Sequence, residues 1–236
     1  TFVVVGLNCF LEGEEGDASN AFAGGDKLSL LLPEPQRKLI DTVLAVGKPT
    51  VVACMTGSAM DLGSANEKAD AIIHCWYPGA LGGRAFGRLV TGQANFSAKL
   101  PVTFYREDNT LPDFSDYSME NRTYKFFRED PLYPFGYGLS YSKFEFSGLT
   151  LDKASVKAGE TVKATVTVKN TGDRVGDEVA EFYIRDLEAS TRVPRHKLCA
   201  FERVTLAPGE SATVNVDITP DAMALIDEEG RKVIEP

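Results

Sequence analysis

The sequence has little of what several common chemistries require. Only two histidines occur, His74 and His196. His74 lies in an apolar run and reads as a satisfied core residue, so a Ser-His-Asp or Cys-His nucleophilic mechanism has few parts to draw on. The four cysteines, Cys9, Cys54, Cys75 and Cys199, form no Cys-x-x-Cys pair. Neither a zinc knuckle nor a thioredoxin-type dithiol is supported. Cys9, Cys54 and Cys75 fall in or beside apolar strands and are expected to be buried, unbridged structural thiols. No metal and no cofactor is expected. No apolar run approaches the roughly 20 residues of a membrane helix, and no signal peptide is visible. Positive charge is scarce: 25 Lys and Arg face 34 Asp and Glu, a net charge of −9. Nucleic acid and anionic membrane surfaces would be repelled, and neither is expected as a partner. The glycines Gly79, Gly82 and Gly83 lack the spacing of a phosphate loop, and close strand–helix packing is their expected role. There is no initiating Met, and the chain opens inside a strand, so the parent protein is expected to extend upstream.

What is present is enough apolar residue, 43%, to build a core. Phe2-Val3-Val4-Val5-Gly6-Leu7 reads as a buried strand. Pro33-Glu34-Pro35-Gln36 starts a helix carrying Leu39, Ile40, Val43 and Leu44 at helical spacing, closed by Gly47 and Pro49. Thr50–Met55 reads as the next strand, and a weaker helical patch surrounds Glu67 and Lys68. Ala71–Tyr77 is a third strand, and Ala80–Val90 a second amphipathic helix. Leu100–Tyr105 is a candidate strand that Pro101 places near an edge. Alternating strands and helices predict an α/β fold with a mainly parallel sheet. Val3–Leu7, Val51–Met55 and Ile72–Tyr77 are expected to run parallel in one sheet.

The first strand leads straight into Leu11-Glu12-Gly13-Glu14-Glu15-Gly16-Asp17. Ligands gather at such strand ends in open α/β sheets. Crowded carboxylates raise one another's pKa, and a carboxyl kept protonated near neutral pH can donate a proton. Composition alone favours a solvated acidic loop or a cation site.

From Arg106 to about Phe144 the regular pattern fails and aromatics dominate: Phe114, Tyr117, Tyr124, Phe126, Phe127, Tyr133 and Phe135. That density predicts an ordered connector plastered on another surface. Beyond it the period becomes two. Val162, Ala164, Val166 and Val168 alternate with polar residues, as do Val214, Val216 and Ile218. Asn170-Thr171-Gly172-Asp173 and Ala207-Pro208-Gly209-Glu210 are the turns. Strands at this spacing predict an immunoglobulin-like sandwich.

Tyr133-Pro134-Phe135-Gly136-Tyr137-Gly138-Leu139-Ser140-Tyr141 resembles the signature of family-3 glycoside hydrolases that joins their α/β sandwich domain to a fibronectin-III-like domain. Leu32-Pro33 with Gln36, Trp76-Tyr77-Pro78-Gly79 with Gly82-Gly83, Leu100-Pro101-Val102-Thr103, Arg122-Thr123-Tyr124, Asn170-Thr171-Gly172 and Pro208-Gly209-Glu210 fall in the family's order. The resemblance covers nearly the whole chain. It implies part of an α/β/α sandwich over residues 1–105, an aromatic connector over 106–145, and a fibronectin-III-like sandwich over 146–236 lacking its last strands. It also implies retaining, exo-acting hydrolysis of β-glycosides, either β-D-glucosides or β-D-xylosides. The substrates would be β-linked oligosaccharides or aryl glycosides. The nucleophile would be an Asp on an N-terminal (β/α) barrel of the same protein, outside this chain. By the match to Leu-Glu-Gly-Glu-Glu, Glu14 is the general acid/base, with Glu12 and Glu15 the neighbours that could be confused with it. No other substrate-binding residue is assigned.

The sequence departs from the family pattern in places. Lys27 stands where Arg is usual, which puts a bidentate sugar contact in doubt. Asn95-Phe96-Ser97-Ala98-Lys99 replaces Asn-Pro-Ser-Gly-Arg and reads as a loop variation of little consequence. The sequons at Asn95 and Asn121 read as chance occurrences. The lack of a disulfide framework favours the cytoplasm over a secreted setting. The competing readings are a non-catalytic carbohydrate-binding or interaction module, and a flavodoxin-like nucleotide binder fused to the sandwich, which lacks a phosphate loop.

Overall fold

The described residues hold one parallel sheet and three antiparallel ones. A computed structural model describes residues 1–13 and 27–235. The chain separates into two units. The first comprises Thr1–Thr91, Val102–Thr110 and Glu129–Pro134; the second comprises Gly92–Pro101, Leu111–Arg128 and Phe135–Pro236. The aromatic connector is therefore shared between them.

The first unit contains β1 (Phe2–Gly6), α1 (Glu34–Leu44), β2 (Val51–Met55), α2 (Ala65–Lys68), β3 (Ala71–His74) and α3 (Gly82–Val90). The three strands form one parallel sheet in the order β1-β2-β3, as the strand–helix alternation predicts. Alternation of side chains sends Val3 and Val5 into the core with Val52, Cys54 and Ile40. Fully burying one such aliphatic side chain stabilises by about 1.5–3 kcal/mol. Phe2 and Val4 occupy the other face and stay exposed, with Phe86 of α3 meeting the Phe2 ring edge-on at 6.2 Å. Of the predicted helical stripe on α1, Ile40 is buried and Val43 and Leu44 pack on the core, but Leu39 points outward.

β3 is shorter than expected. It stops at His74 because β2 supplies only one more acceptor, the Cys54 carbonyl to the Cys75 N–H at 2.8 Å. Trp76 then turns away with a left-handed φ of 53°. The candidate strand around Leu100–Tyr105 is not a ladder strand. Within the first unit it is reduced to one bridge between Phe104 and Tyr133. Pro101 has no N–H to offer a ladder.

All four cysteines are unbridged. Cys54 is buried and burial pushes its thiol up to about 11, while Cys75 and Cys199 are half-buried. Cys75 thus falls short of the burial expected of it, and Cys9 is exposed, contrary to expectation. It lies two residues beyond the core residue Leu7, in a turn where the chain has already left the sheet.

The second unit contains α4 (Thr123–Phe126), β4 (Phe144–Leu151), β5 (Val162–Asn170), β6 (Gly176–Ile184), β7 (Lys197–Leu206), β8 (Ser211–Ile218), α5 (Pro220–Met223), β9 (Leu225–Ile226) and β10 (Lys232–Val233). A three-stranded antiparallel sheet, β4-β5-β8, faces the β6-β7 pair across one core. Val166, Val168, Val214 and Val216 enter it from one side, and Ala180, Phe182 and Leu206 from the other. Asn170, fully buried at the end of β5, donates to the carbonyls of Arg174 and Leu206, both at 2.9 Å. Its Oδ1 accepts from Ser142 Oγ and the Gly172 N–H.

From Phe135 on, the signature segment belongs to this unit, for identifiable reasons. A Cβ on Gly138 would sit 2.2 Å from the Ala98 carbonyl oxygen, so only glycine lets the two backbones approach. Asn95 Oδ1 accepts from Ser140 Oγ at 3.0 Å and from the Tyr141 N–H at 2.9 Å. Lys99 forms a 2.7 Å ion pair with the buried Glu178 and donates to the Gly138 carbonyl at 3.3 Å. Asn95 and Lys99 thus tie residues 95–99 to the signature segment. Breaking a buried pair such as Lys99–Glu178 leaves an uncompensated charge.

Candidate functional site

The C-terminal end of β1 is where the parallel sheet releases the acidic stretch. Glu14, its neighbour Glu15, and the turn Gly24-Gly25-Asp26 lie outside the described residues. Glu12 and Lys27, the residues on either side, are described.

The departure from β1 is fixed at three points. The Gly6 N–H donates to Gln36 Oε1 at 2.8 Å, and Gln36 Nε2 donates to the Gly6 carbonyl at 2.7 Å. A Cβ at Gly6 would lie 2.0 Å from the Met55 carbonyl oxygen, so glycine is required there. The Leu7 N–H continues the ladder to Met55 at 3.0 Å. Asn8 then organises a turn: its Oδ1 accepts from the Phe10 N–H, and its carbonyl accepts from the Leu11 and Glu12 N–H groups. The Glu12 carboxylate accepts from Ser58 Oγ at 2.9 Å. Ser58 lies in the turn that follows β2, and its carbonyl accepts from Thr56 Oγ1 at 2.8 Å.

The return is fixed as firmly. Lys27 Nζ donates to the carbonyls of Ser29 at 2.9 Å and Leu31 at 2.7 Å, and lies 3.6 Å from Met60 Sδ. Desolvation lowers the Lys27 pKa, while Glu12 and Glu107 pull it back up. The Lys27 ammonium is thus engaged with its own backbone. The Leu30 N–H donates to Glu107 Oε2 at 2.7 Å. The Glu107 N–H donates to Asp61 Oδ2, and the Asp61 N–H to the Leu30 carbonyl. Three segments therefore close a ring of hydrogen bonds below the site.

Sequence reasoning placed Gln36 only in a helix start and overlooked Ser58, Asp61 and Glu107. The signal for Ser58 was the Thr56-Gly57-Ser58 turn at the end of a parallel strand. His74 lies deeper, its ring 4.6 Å from that of Phe104 and edge-on to it. Burial lowers its pKa to about 4. The residue is half-buried and not satisfied: among the described residues its Nε2 is buried without a hydrogen-bond partner.

A separate cleft is also present. It measures about 820 Å³ in the second unit and is lined by Phe146, Leu149, Leu151, Phe182 and Ile184 among others. Its one lining carboxylate, Glu181, is taken by the Tyr183 hydroxyl at 2.6 Å. Acid/base hydrolysis by paired carboxylates has no second partner there.

Comparison with known proteins gives a consistent picture. Residues 1–141 match the glycosyl hydrolase family 3 C-terminal domain, and residues 178–236 match a fibronectin type III-like domain. A xylan 1,4-beta-xylosidase of Xylanibacter ruminicola is 40% identical over 225 residues, covering 95% of this chain and 26% of that protein. A periplasmic beta-glucosidase of Salmonella typhimurium is 35% identical over 228 residues, covering 92% of this chain and 30% of its own length. The solved beta-glucosidase of Listeria innocua in complex with glucose superposes with a TM-score of 0.79 at 33% identity, covering 100% of this chain and 33% of that one. The chain spans roughly a quarter to a third of the length of these relatives.

Proposed function

Because this chain belongs to glycosyl hydrolase family 3, we propose that it is the acid/base-bearing part of a retaining, exo-acting β-glycosidase, with Glu14 as the general acid/base. The observation that carries the reading is the stem of the acidic stretch. A parallel strand end is held by Gln36, and Glu12, in the acidic stretch that follows it, is held by Ser58. The named relatives are beta-xylosidases and beta-glucosidases, which supports a β-D-xyloside or β-D-glucoside substrate.

The chemistry divides between two carboxyl groups. A protonated carboxyl donates to the leaving oxygen while a carboxylate about 5–5.5 Å away attacks the anomeric carbon. The first group then acts as base towards water. In this proposal Glu14 supplies the proton, and an Asp on an N-terminal (β/α) barrel of the same protein is the nucleophile. Among the neighbours of Glu14, Glu12 is committed to Ser58, which leaves it poorly suited to proton donation. Lys27 is spent on the carbonyls of Ser29 and Leu31. That supports a structural rather than a sugar-binding part for it.

The division of parts is tested by assaying residues 1–236 alone on aryl β-glucosides and β-xylosides, then with the upstream half added in trans. The proposal expects no turnover from the segment alone and activity on recombination. Turnover by the segment alone, abolished by Asp17→Asn or Asp26→Asn, would place the nucleophile in this chain.

A further inference from the structure

We infer that Ser58 and Glu12 form a positioning pair for the general acid/base. The inference rests on the reading of Glu14 given above and goes beyond it by assigning roles to two residues that only the structure brings together. Ser58 and Glu12 are 46 residues apart in sequence, yet Ser58 Oγ donates to Glu12 Oε2 at 2.9 Å. Glu12 is two residues before Glu14 in sequence, with Gly13 between them, so its carboxylate ties down the chain where it enters the acidic stretch.

The anchor is itself rigid. Ser58 is held by Thr56, which is 1% exposed and donates to the Ser58 carbonyl. Met60 in the same turn is 1% exposed and lies 3.6 Å from Lys27 Nζ. Both described flanks of the acidic stretch, Glu12 and Lys27, thus meet one turn, residues 56–60, fixed to the end of β2. Asp61 extends this support, accepting from the Gly63 N–H, Asn66 Nδ2 and the Glu107 N–H. A carboxyl that must sit within hydrogen-bond reach of a leaving oxygen depends on such support, because a displacement of about 1 Å can cost on the order of a hundredfold in rate. Glu12 therefore works through its neighbour and does not touch substrate.

The test is steady-state kinetics of the full-length enzyme on two substrate types: a β-linked disaccharide, which needs protonation of its leaving group, and a dinitrophenyl glycoside, which does not. The pair predicts that Ser58→Ala and Glu12→Ala each lower kcat on the disaccharide about tenfold. KM on the disaccharide should stay within about twofold, and kcat/KM on the dinitrophenyl glycoside, which reports the glycosylation step alone, should be far less affected. The double variant should be no worse than either single one, because both remove the same contact. Ser58→Thr and Glu12→Gln, which keep the donor and an acceptor oxygen, should recover most of the loss. Equal losses on both substrates would mean a merely structural contact and would overturn the inference, as would multiplicative effects in the double variant. Loss of more than a hundredfold on the disaccharide alone in Glu12→Gln would make Glu12 the proton donor and overturn it too. A Glu14→Gln control separates the two levels. Its full activity on disaccharides would end the Glu14 assignment, whatever the coupling between Ser58 and Glu12.

Discussion

The side-chain amide of Gln36 closes on both main-chain polar groups of Gly6, accepting from the N–H at 2.8 Å and donating to the carbonyl at 2.7 Å. One side chain at the start of α1 thus satisfies both main-chain polar groups of the last residue of β1. Gln36→Leu strands a partly buried donor and acceptor, each costing about 1–3 kcal/mol. The expected result is a loss of about 2–4 kcal/mol in urea unfolding monitored by tryptophan fluorescence. Gln36→Glu keeps an acceptor for the Gly6 N–H but sets a carboxylate oxygen against the Gly6 carbonyl. It should be destabilised at neutral pH and improve on acidification.

Asn170 makes a second testable joint. It is fully buried, and both its donors and its acceptor oxygen are in use. Asn170→Leu removes the side-chain partners of the Leu206 carbonyl and the Gly172 N–H, and leaves the Arg174 carbonyl with the Ser142 hydroxyl alone. A loss of about 3–5 kcal/mol is expected, read as a fall in the denaturation midpoint of the sandwich. Asn170→Asp should be at least as damaging near neutral pH, since it aims a carboxylate at two carbonyls.

His74 gives the first unit an acid sensitivity. Its folded-state pKa of about 4 lies below the ordinary 6.5 because burial disfavours the imidazolium. Between these values the unfolded chain binds the proton and the folded chain does not. Stability is therefore lost as pH falls from about 6.5 to about 4, and the loss levels off below that. The full difference corresponds to about 3 kcal/mol. Thermal unfolding from pH 7 to pH 4 should show this slope. His74→Gln, which has no titrating ring, should flatten it relative to the parent even as carboxylates contribute below pH 5. An unchanged slope in the variant would assign the acid sensitivity to other groups.

Much of the fold was legible because its physics is local. The alternation of Val162, Ala164, Val166 and Val168 is borne out residue by residue in β5. The parallel strands were legible from short β-branched runs separated by helical spacing. What was not legible depends on partners distant in sequence. Nothing local tells that Gln36 meets Gly6, that Ser58 meets Glu12, or that Lys99 meets Glu178. The early end of β3 turns on the left-handed backbone of Trp76, a conformation that a bulky residue does not announce. Cys9 was misjudged because the strand's apolar run was extended past Leu7 into the Asn8 turn. The acid/base assignment came from the resemblance alone: by composition the acidic stretch is an ordinary solvated loop.

The most direct measurement of the central claim is the leaving-group dependence of Glu14→Gln in the full-length enzyme. General acid catalysis is worth roughly 10²–10⁴-fold, and only leaving groups that need a proton feel its loss. The account predicts that cleavage of a β-linked disaccharide falls by about 10³-fold. The glycosylation step with a dinitrophenyl glycoside should fall far less, and added azide, which needs no base, should accelerate turnover and yield the β-glycosyl azide. A loss equal for both leaving groups, or full activity on the disaccharide, would contradict the assignment of Glu14 as the acid/base.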